Sequence, residues 1–313
     1  MLLSNHLRRG AARTGIAGRI RAPVAQLRFF GNEPGQESLC AKIAVIGGGQ
    51  MAEAILSSLH KVQNMKNVYV YDIHKGRCTY MHETYGISVS NTIDECIQDA
   101  EVILLAVKPQ NVVDVAAMVV DPPSGMLLSI VAGCTIQHLR EQFKTNVIMR
   151  TMPNTPAMIS EGITVWTATA ETPDELRRKG EGIMSCIGES VQVQEEKYLD
   201  MATAISGSGP AYVLLTMEAM IDAGVHLGFP RDVAIKLVLN TLRGSTGLAL
   251  ESNKSVEELK HMVTSPSGTT AAALYELESG GFRTVVANAI WAGYRKALEL
   301  GGQNSNVGPG RSR

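Results

Sequence analysis

The sequence predicts an α/β domain built on a parallel sheet, followed by an all-helical domain. Three observations carry that expectation. From Lys42 onward, short runs rich in Val and Ile alternate with helix-length stretches, the pattern of a parallel sheet covered on both faces. Beyond Glu195 the strand signal stops, and long apolar stretches punctuated by Gly and Pro follow, which read as helices. At 313 residues the chain is long enough for two domains, each with its own core. The expected division is a first domain over 40–195, a helical domain over 196–301, and a Gly-rich, polar, disordered tail over 302–313.

Taken in order, KIAVIG, VYVYD, VILLAV, LLSIVA and VIMRTM read as strands, being short, apolar and β-branched. Crossover helices are expected over 50–60, 75–85, 110–119 and 135–143, and such connections are right-handed. GITVWTA and SVQVQ extend the sheet, with a helix over 172–185 between them. Helices then follow over 210–227, 230–251, 255–263, 268–279 and 282–300. In AYVLLTMEAMI and AIKLVLNTL, apolar residues surround much of the helix circumference. A helix of that kind buries more than one face, so a second copy of the chain is expected against it, making a homodimer.

Bulk composition narrows the function. The formal net charge is −1 and 5% of residues are aromatic, so neither a global field nor a set of stacking platforms favours nucleic acid. No apolar run approaches the length of a membrane span. The five cysteines are scattered singly and the seven histidines lack ligand spacing, so neither a disulfide framework nor a metal site is expected. Residues 1–30 differ from the rest: arginines at 8, 9, 13, 19, 21 and 28, apolar residues between them, and no acid before Glu33. That is the composition of a transit peptide, with Arg28-Phe29-Phe30 before Gly31 as a cleavage-like site. A mitochondrial matrix address is expected, with plastid or cytoplasm as alternatives.

IAVIGGGQMAEAIL places Gly47, Gly49 and Ala52 in a G-x-G-x-x-A spacing, directly after a strand and opening a helix with Gln50 and Met51. The first glycine permits the tight turn, the second lets backbone approach a pyrophosphate, and the small third residue lets helix pack on strand. The helix start offers free amides and a positive dipole end to phosphates. The first domain is therefore expected to be of Rossmann type and to bind a nicotinamide dinucleotide. Asp72 ends the second strand where an acid accepts from a ribose 2′-hydroxyl, favouring NAD(H), whereas Lys75 and Arg77 favour the 2′-phosphate of NADP(H). NADPH and NADH both remain open. Ala106, Val107, Lys108 and Pro109 leave the strand VILLAV at its carboxyl end, facing the ligand cleft. MPNTPAM leaves another strand the same way, its prolines stiffening the loop that presents Asn154.

Two stretches of the helical half add small and hydroxylated residues. SGSGPAY precedes a long helix with Pro210 near its first position. TSPSGTTAAALYEL offers Ser265, Gly268, Thr269 and Thr270 ahead of an apolar helix, more donors than one N-cap uses. A small carboxylate substrate would gain there from dipole and hydrogen bonds.

Taken together and in order, IGGGQMAEAIL, AVKPQ, MPNTPAMISEG, SGSGPAYV, AGVHLGFPR and TSPSGTTAAALYELESGGFR resemble the pyrroline-5-carboxylate reductase family over about residues 42–300. The resemblance implies hydride transfer from NAD(P)H to the imine carbon of 1-pyrroline-5-carboxylate, giving L-proline. It implies a homodimer of interleaved helical domains, assembled further as in a pentamer of dimers. It also implies that Thr270 hydrogen-bonds near the ring nitrogen, that Ser265, Gly268 and Thr269 hold the carboxylate, and that Lys108 and Asn154 line the nicotinamide side. Two positions depart from the family pattern: Ser267, where a glycine is usual, and His261, where an Asp or another polar residue is. The competing expectations are a β-hydroxyacid-type dehydrogenase, which needs a catalytic lysine that the SPSGTT helix lacks, and a non-catalytic NAD(P)-binding redox sensor.

Overall fold

The computed structural model describes residues 39–310; the arginine-rich segment 1–30 and residues 311–313 lie outside them. Eight strands form one sheet: β1 (Ile43–Ile46), β2 (Val68–Tyr71), β3 (Ser88–Val89), β4 (Val102–Leu105), β5 (Met126–Ser129), β6 (Ile148–Met152), β7 (Gly162–Ala168) and β8 (Gly188–Gln192). Their spatial order is β3-β2-β1-β4-β5-β6-β7-β8, the doubly wound arrangement that reverses direction between β1 and β4. All neighbours are parallel except β6 and β7, which are antiparallel. The expected parallel sheet is present, with this one pair antiparallel. A parallel return needs a crossover of a dozen or more residues, whereas β6 and β7 are joined around a 3₁₀ turn, Thr155–Ile159.

Burial explains why the central strands were readable. All four residues of β1, β4 and β5 are buried, as continuous apolar runs require in a sheet covered on both sides. Val45, Val70, Leu104 and Leu128 face one core together with α1 (Gln50–Leu59), α2 (Lys75–Tyr85) and α6 (Asp174–Ser185). Ala44, Ile46, Ile103 and Leu127 face the other, with α3 (Ile93–Ile97), α4 (Val112–Ala117) and α5 (Ile136–Phe143).

From Lys197 every element is helical: α7 (Lys197–Ala202), a π-helical turn at Thr203–Gly207, α8 (Gly209–His226), α9 (Arg231–Glu251), α10 (Val256–Met262), α11 (Thr269–Ser279) and α12 (Phe282–Leu300). α10 begins with a capping box, Ser255 accepting from Glu258 N–H while the Glu258 carboxylate accepts from Ser255 N–H. The π turn packs against α12, where Gly293 lets Tyr212 and Ala204 approach closely.

One buried ionic cluster ties the two halves together. Arg150, in the middle of β6, is 2% exposed. Its Nη1 meets Glu196 Oε1 at 2.7 Å, and its Nη2 meets Asp200 Oδ1 at 2.6 Å. Glu196 Oε1 also accepts from the Ile136 amide that opens α5, and Gln303 Nε2 donates to Asp200 Oδ2 at 2.9 Å. The stretch expected as a tail, so far as it is described, covers residues 302–310. They form no helix or strand, but Gln303 is anchored on Asp200 and Gly308 lies against the Trp291 ring.

The helical half leaves a large apolar surface uncovered. No residue of α8, α10 or α11 is buried, while Leu214, Leu215, Leu237, Leu250 and Val285 are exposed. Contiguous apolar surface on this scale marks an association face. No helix among the described residues is long and apolar enough to cross a membrane.

Arg150→Ala would leave Asp200 buried without its cation, a change that costs about 3–5 kcal/mol. Urea unfolding of the full chain should register a loss of that size, and a loss below about 1 kcal/mol would show that the cluster does not hold the lobes.

Candidate active site

The glycine loop closes the top of the sheet by backbone contacts. Gly47 N donates to Tyr71 O and Ala106 N donates to Ile46 O, both at 2.9 Å. Gly47 has φ 97°, and a Cβ there would lie 2.7 Å from the Ala106 carbonyl oxygen. The residue is required twice, by its conformation and by the approach of the chain leaving β4. The expected loops Gly47–Met51 and Ala106–Pro109 are thus in contact at the point where the strand order reverses, where nucleotides bind such sheets. Gly49 is exposed, caps α1 without a side-chain hydrogen bond, and meets nothing closer than 4.0 Å to an added Cβ. Gln50 beside it is exposed and Met51 half-buried. Open space above an uncapped helix start suits a pyrophosphate, so these residues fit a dinucleotide.

Asp72 sits at the end of β2, as expected, with both carboxylate oxygens committed to backbone. Oδ2 accepts from Gly48 N at 2.6 Å, and Oδ1 accepts from His74 N at 2.7 Å. Arg77 is turned inward: its Nε donates to Gly48 O at 2.8 Å and its Nη2 pairs with Glu53 Oε2 at 2.6 Å. Tyr80 and Tyr85 also donate to Glu53. Burial pushes the Glu53 carboxyl up, but the bonds from Arg77 and the tyrosines outweigh it and hold it below the usual value. Two acids and one arginine thus fix the glycine loop.

Lys108 is exposed and starts the 3₁₀ turn Pro109–Asn111. Asn154 follows β6 and is 9% exposed; its Oδ1 accepts from Ile163 N at 2.9 Å. The carbonyl side of Asn154 is committed to β7, which leaves its Nδ2 as the donor. The loop also touches α1, through Ser160 Oγ and Ser58 Oγ at 3.1 Å.

In the helical half, Gly268 caps α11 with no side-chain capping bond. A Cβ on Gly268 would collide with the Ser265 hydroxyl, so glycine is needed for the two to sit together. Thr270 is half-buried, while Ser265 and Thr269 are exposed. Ser267 has φ 57°, a left-handed conformation that costs a non-glycine residue about 1 kcal/mol. His261 is exposed on α10. Among the described residues, α11 packs chiefly on α12. The fold therefore joins the glycine loop, Asp72 and Ala106–Pro109 in one cradle, and sets Ser265–Thr270 on a separate helix start.

Sequence reasoning missed Arg150, whose signal was a charge inside an apolar strand with acids four residues apart at 196 and 200. It also missed α3, α7 and β3, which are too short to show a period. Burial pushes Cys40 up to about 12 and Cys96, Cys134 and Cys186 to about 11, so these thiols are not nucleophiles near neutral pH. Among the described residues no group of three or more His, Cys, Asp or Glu is placed to hold a metal. The arrangement can bind and orient, and it holds little acid–base machinery.

Comparison with known proteins agrees with this layout. Residues 196–300 match the family model for pyrroline-5-carboxylate reductase dimerisation, and residues 42–133 match that of NADP oxidoreductase, coenzyme F420-dependent. A pyrroline-5-carboxylate reductase from Synechocystis is 40% identical over 263 residues, covering 83% of this chain and 98% of that protein. Among solved structures, a pyrroline-5-carboxylate reductase from Coxiella burnetii superposes with a TM-score of 0.76 at 31% identity, over 83% of this chain and 98% of that one. The pyrroline carboxylate reductase of Plasmodium falciparum, solved with NADP bound, gives 0.74 at 30% identity over 83% and 98%.

The two glycines of the loop should separate under mutation. Gly47→Ala forces a Cβ into the Ala106 carbonyl and should lower both the melting temperature and cofactor affinity. Gly49→Ala meets nothing in the fold and should leave the melting temperature within about 1 °C while weakening cofactor binding by about tenfold. Equal behaviour of the two variants, by calorimetry and fluorescence titration, would contradict the assigned geometry.

Proposed function

The chain belongs to the pyrroline-5-carboxylate reductase family, and we propose that it reduces 1-pyrroline-5-carboxylate to L-proline, the last step of proline biosynthesis. The observation that carries the substrate half is the start of α11. Ser265, Thr269 and Thr270 surround a helix end that has no side-chain cap, a place where a carboxylate is favoured by the dipole and by charge-assisted hydrogen bonds. Bound NADPH or NADH supplies the hydride to the ring carbon C5. The loop Gly47–Met51 and the start of α1 take the pyrophosphate. Lys108 and the Nδ2 side of Asn154 line the nicotinamide side, with Ala106, Val107 and Pro109 shaping that wall. Ser265, Gly268 and Thr269 take the substrate carboxylate, and Thr270 orients the ring nitrogen. A protonated imine is already an electrophile, so the residues chiefly align donor and acceptor and exclude water.

The uncovered faces of α8, α9, α11 and α12 meet a second copy in this reading, giving a homodimer, with a pentamer of dimers as the larger assembly. The arginine-rich segment 1–30 directs the chain to the mitochondrial matrix.

The purified full chain with pyrroline-5-carboxylate should oxidise NADPH or NADH, followed as loss of nicotinamide absorbance. Thr270→Ala should lower kcat by about tenfold to a thousandfold while cofactor affinity stays unchanged. No oxidation with either cofactor would return the chain to the β-hydroxyacid dehydrogenases or to a redox sensor. Normal turnover by the Thr270 variant would remove that residue from the site.

A further inference from the structure

Resting on the proposed imine reduction, we infer that Gln303 is a positioning residue for it. The stretch after α12 clasps the two lobes, and Gln303 holds Asp200 so that the π turn and Asn154 keep their spacing across the cleft. The match to the dimerisation family model stops at residue 300, and the clasp lies just beyond it. α12 ends in a Schellman motif, with Gly302 at φ 65°. Gly302 N donates to Glu299 O at 3.0 Å and Gln303 N to Leu298 O at 2.8 Å. That motif fixes the direction of the chain as it leaves the helix. The residue it aims is commonly apolar and packs back on the last turn. Here it is a glutamine, and its Nε2 reaches Oδ2 of a carboxylate that is 1% exposed.

Three contacts make the stretch a bridge. At its start Gly301 faces Gly133, in the loop leaving β5. A Cβ on Gly301 would lie 2.6 Å from the Gly133 carbonyl oxygen, and a Cβ on Gly133 would lie 2.8 Å from Leu300 Cβ. Gln303 then meets Asp200 on α7, and Gly308 lies against the Trp291 ring of α12. The sheet lobe is thus gripped at a loop beyond the carboxyl end of a strand, the side on which such sheets bind ligands. Asp200 shortly precedes the π turn, which is closed by Ser208 N donating to Thr203 O at 2.8 Å. Turns of this kind recur at functional sites. The other oxygen of Asp200 holds Arg150 at 2.6 Å, on the strand that leads to Asn154. Met152, between Arg150 and Asn154, packs where a Cβ on Gly207 of the π turn would lie. A carboxylate shared by strand and tail therefore carries both walls with it when it moves.

A misplacement of about 1 Å between reacting groups costs up to about a hundredfold in rate. The experiment is a single turnover on the full chain, with enzyme in excess of NADPH or NADH and pyrroline-5-carboxylate saturating, followed as loss of nicotinamide absorbance. Gln303→Ala should slow the rate constant by about threefold to thirtyfold at full amplitude, with cofactor affinity held within about twofold. Gln303→Glu, which sets a second anion beside Asp200, should be slower still. Gln303→Lys keeps a donor and should recover most of the rate. Acrylamide quenching of tryptophan fluorescence should rise in Gln303→Ala, because Trp166 is buried and Trp291 is the indole that the tail covers. An unchanged rate constant would overturn the inference, with or without loss of amplitude, since lost amplitude alone is what a stability defect gives. So would equal rates for Gln303→Glu and Gln303→Lys. A wild-type chain that leaves the imine unreduced removes the proposed function instead. The clasp is then read from the quenching alone: a rise in Gln303→Ala keeps it, and no change overturns it.

Discussion

A guanidinium buried between two carboxylates sets the relation of the two lobes. Charges taken out of water are unfavourable unless each finds geometry and partners that replace hydration, and around Arg150 the participants come from four separate parts of the chain. β6 supplies the cation, α7 supplies Asp200 and its N-cap Glu196, the tail supplies Gln303, and α5 contributes its first amide. Such a cluster tolerates few arrangements, so it specifies orientation more than it adds stability. Four residues beyond Arg150 on the same strand exit lies Asn154, and soon after Asp200 comes the π turn that launches α8. The ionic cluster therefore fixes the cofactor wall and the helical scaffold relative to each other from one point. Met152 reinforces this by packing where a Cβ on Gly207 would lie.

The cradle itself works by backbone. Gly47 is pressed on the Ala106 carbonyl, Asp72 holds two amides, and Arg77 holds a carbonyl. Side chains that sequence alone would assign to the ligand are here largely engaged in shaping the loop. What the fold leaves uncommitted is the amides at the start of α1, the exposed lysines Lys75 after β2 and Lys108 after β4, and the Nδ2 of Asn154. This division suits a reaction whose substrate arrives already activated.

Much of this was legible in the residues. Strands buried on both faces announce themselves as unbroken apolar runs, and β1, β4 and β5 do so. Loop chemistry also reads well, because Gly47 is constrained by sterics that only glycine meets. Other features were not legible for definable reasons. Alternation of apolar residues is blind to strand direction, so the reversal at β7 depends on the length of its connection. α3, α7 and β3 offer too few residues for a period. The engagement of Asp72 and Asn154 depends on which amide lies nearby, a matter of tertiary approach. Ser267 stands where the family usually has a glycine, and its left-handed φ of 57° is the conformation a glycine adopts without cost.

The uncovered leucines and valines of α8, α9 and α12 have a kinetic corollary. A helical core finished by a second molecule is completed by encounter, a second-order event, whereas the sheet lobe closes on itself. At high dilution the two lobes should then part company in their behaviour, with the nucleotide half keeping its shape while the other half waits for its complement. The abundance of the chain thereby becomes a variable in its own maturation, and mixed pairs of normal and altered copies become an unavoidable product wherever both are made.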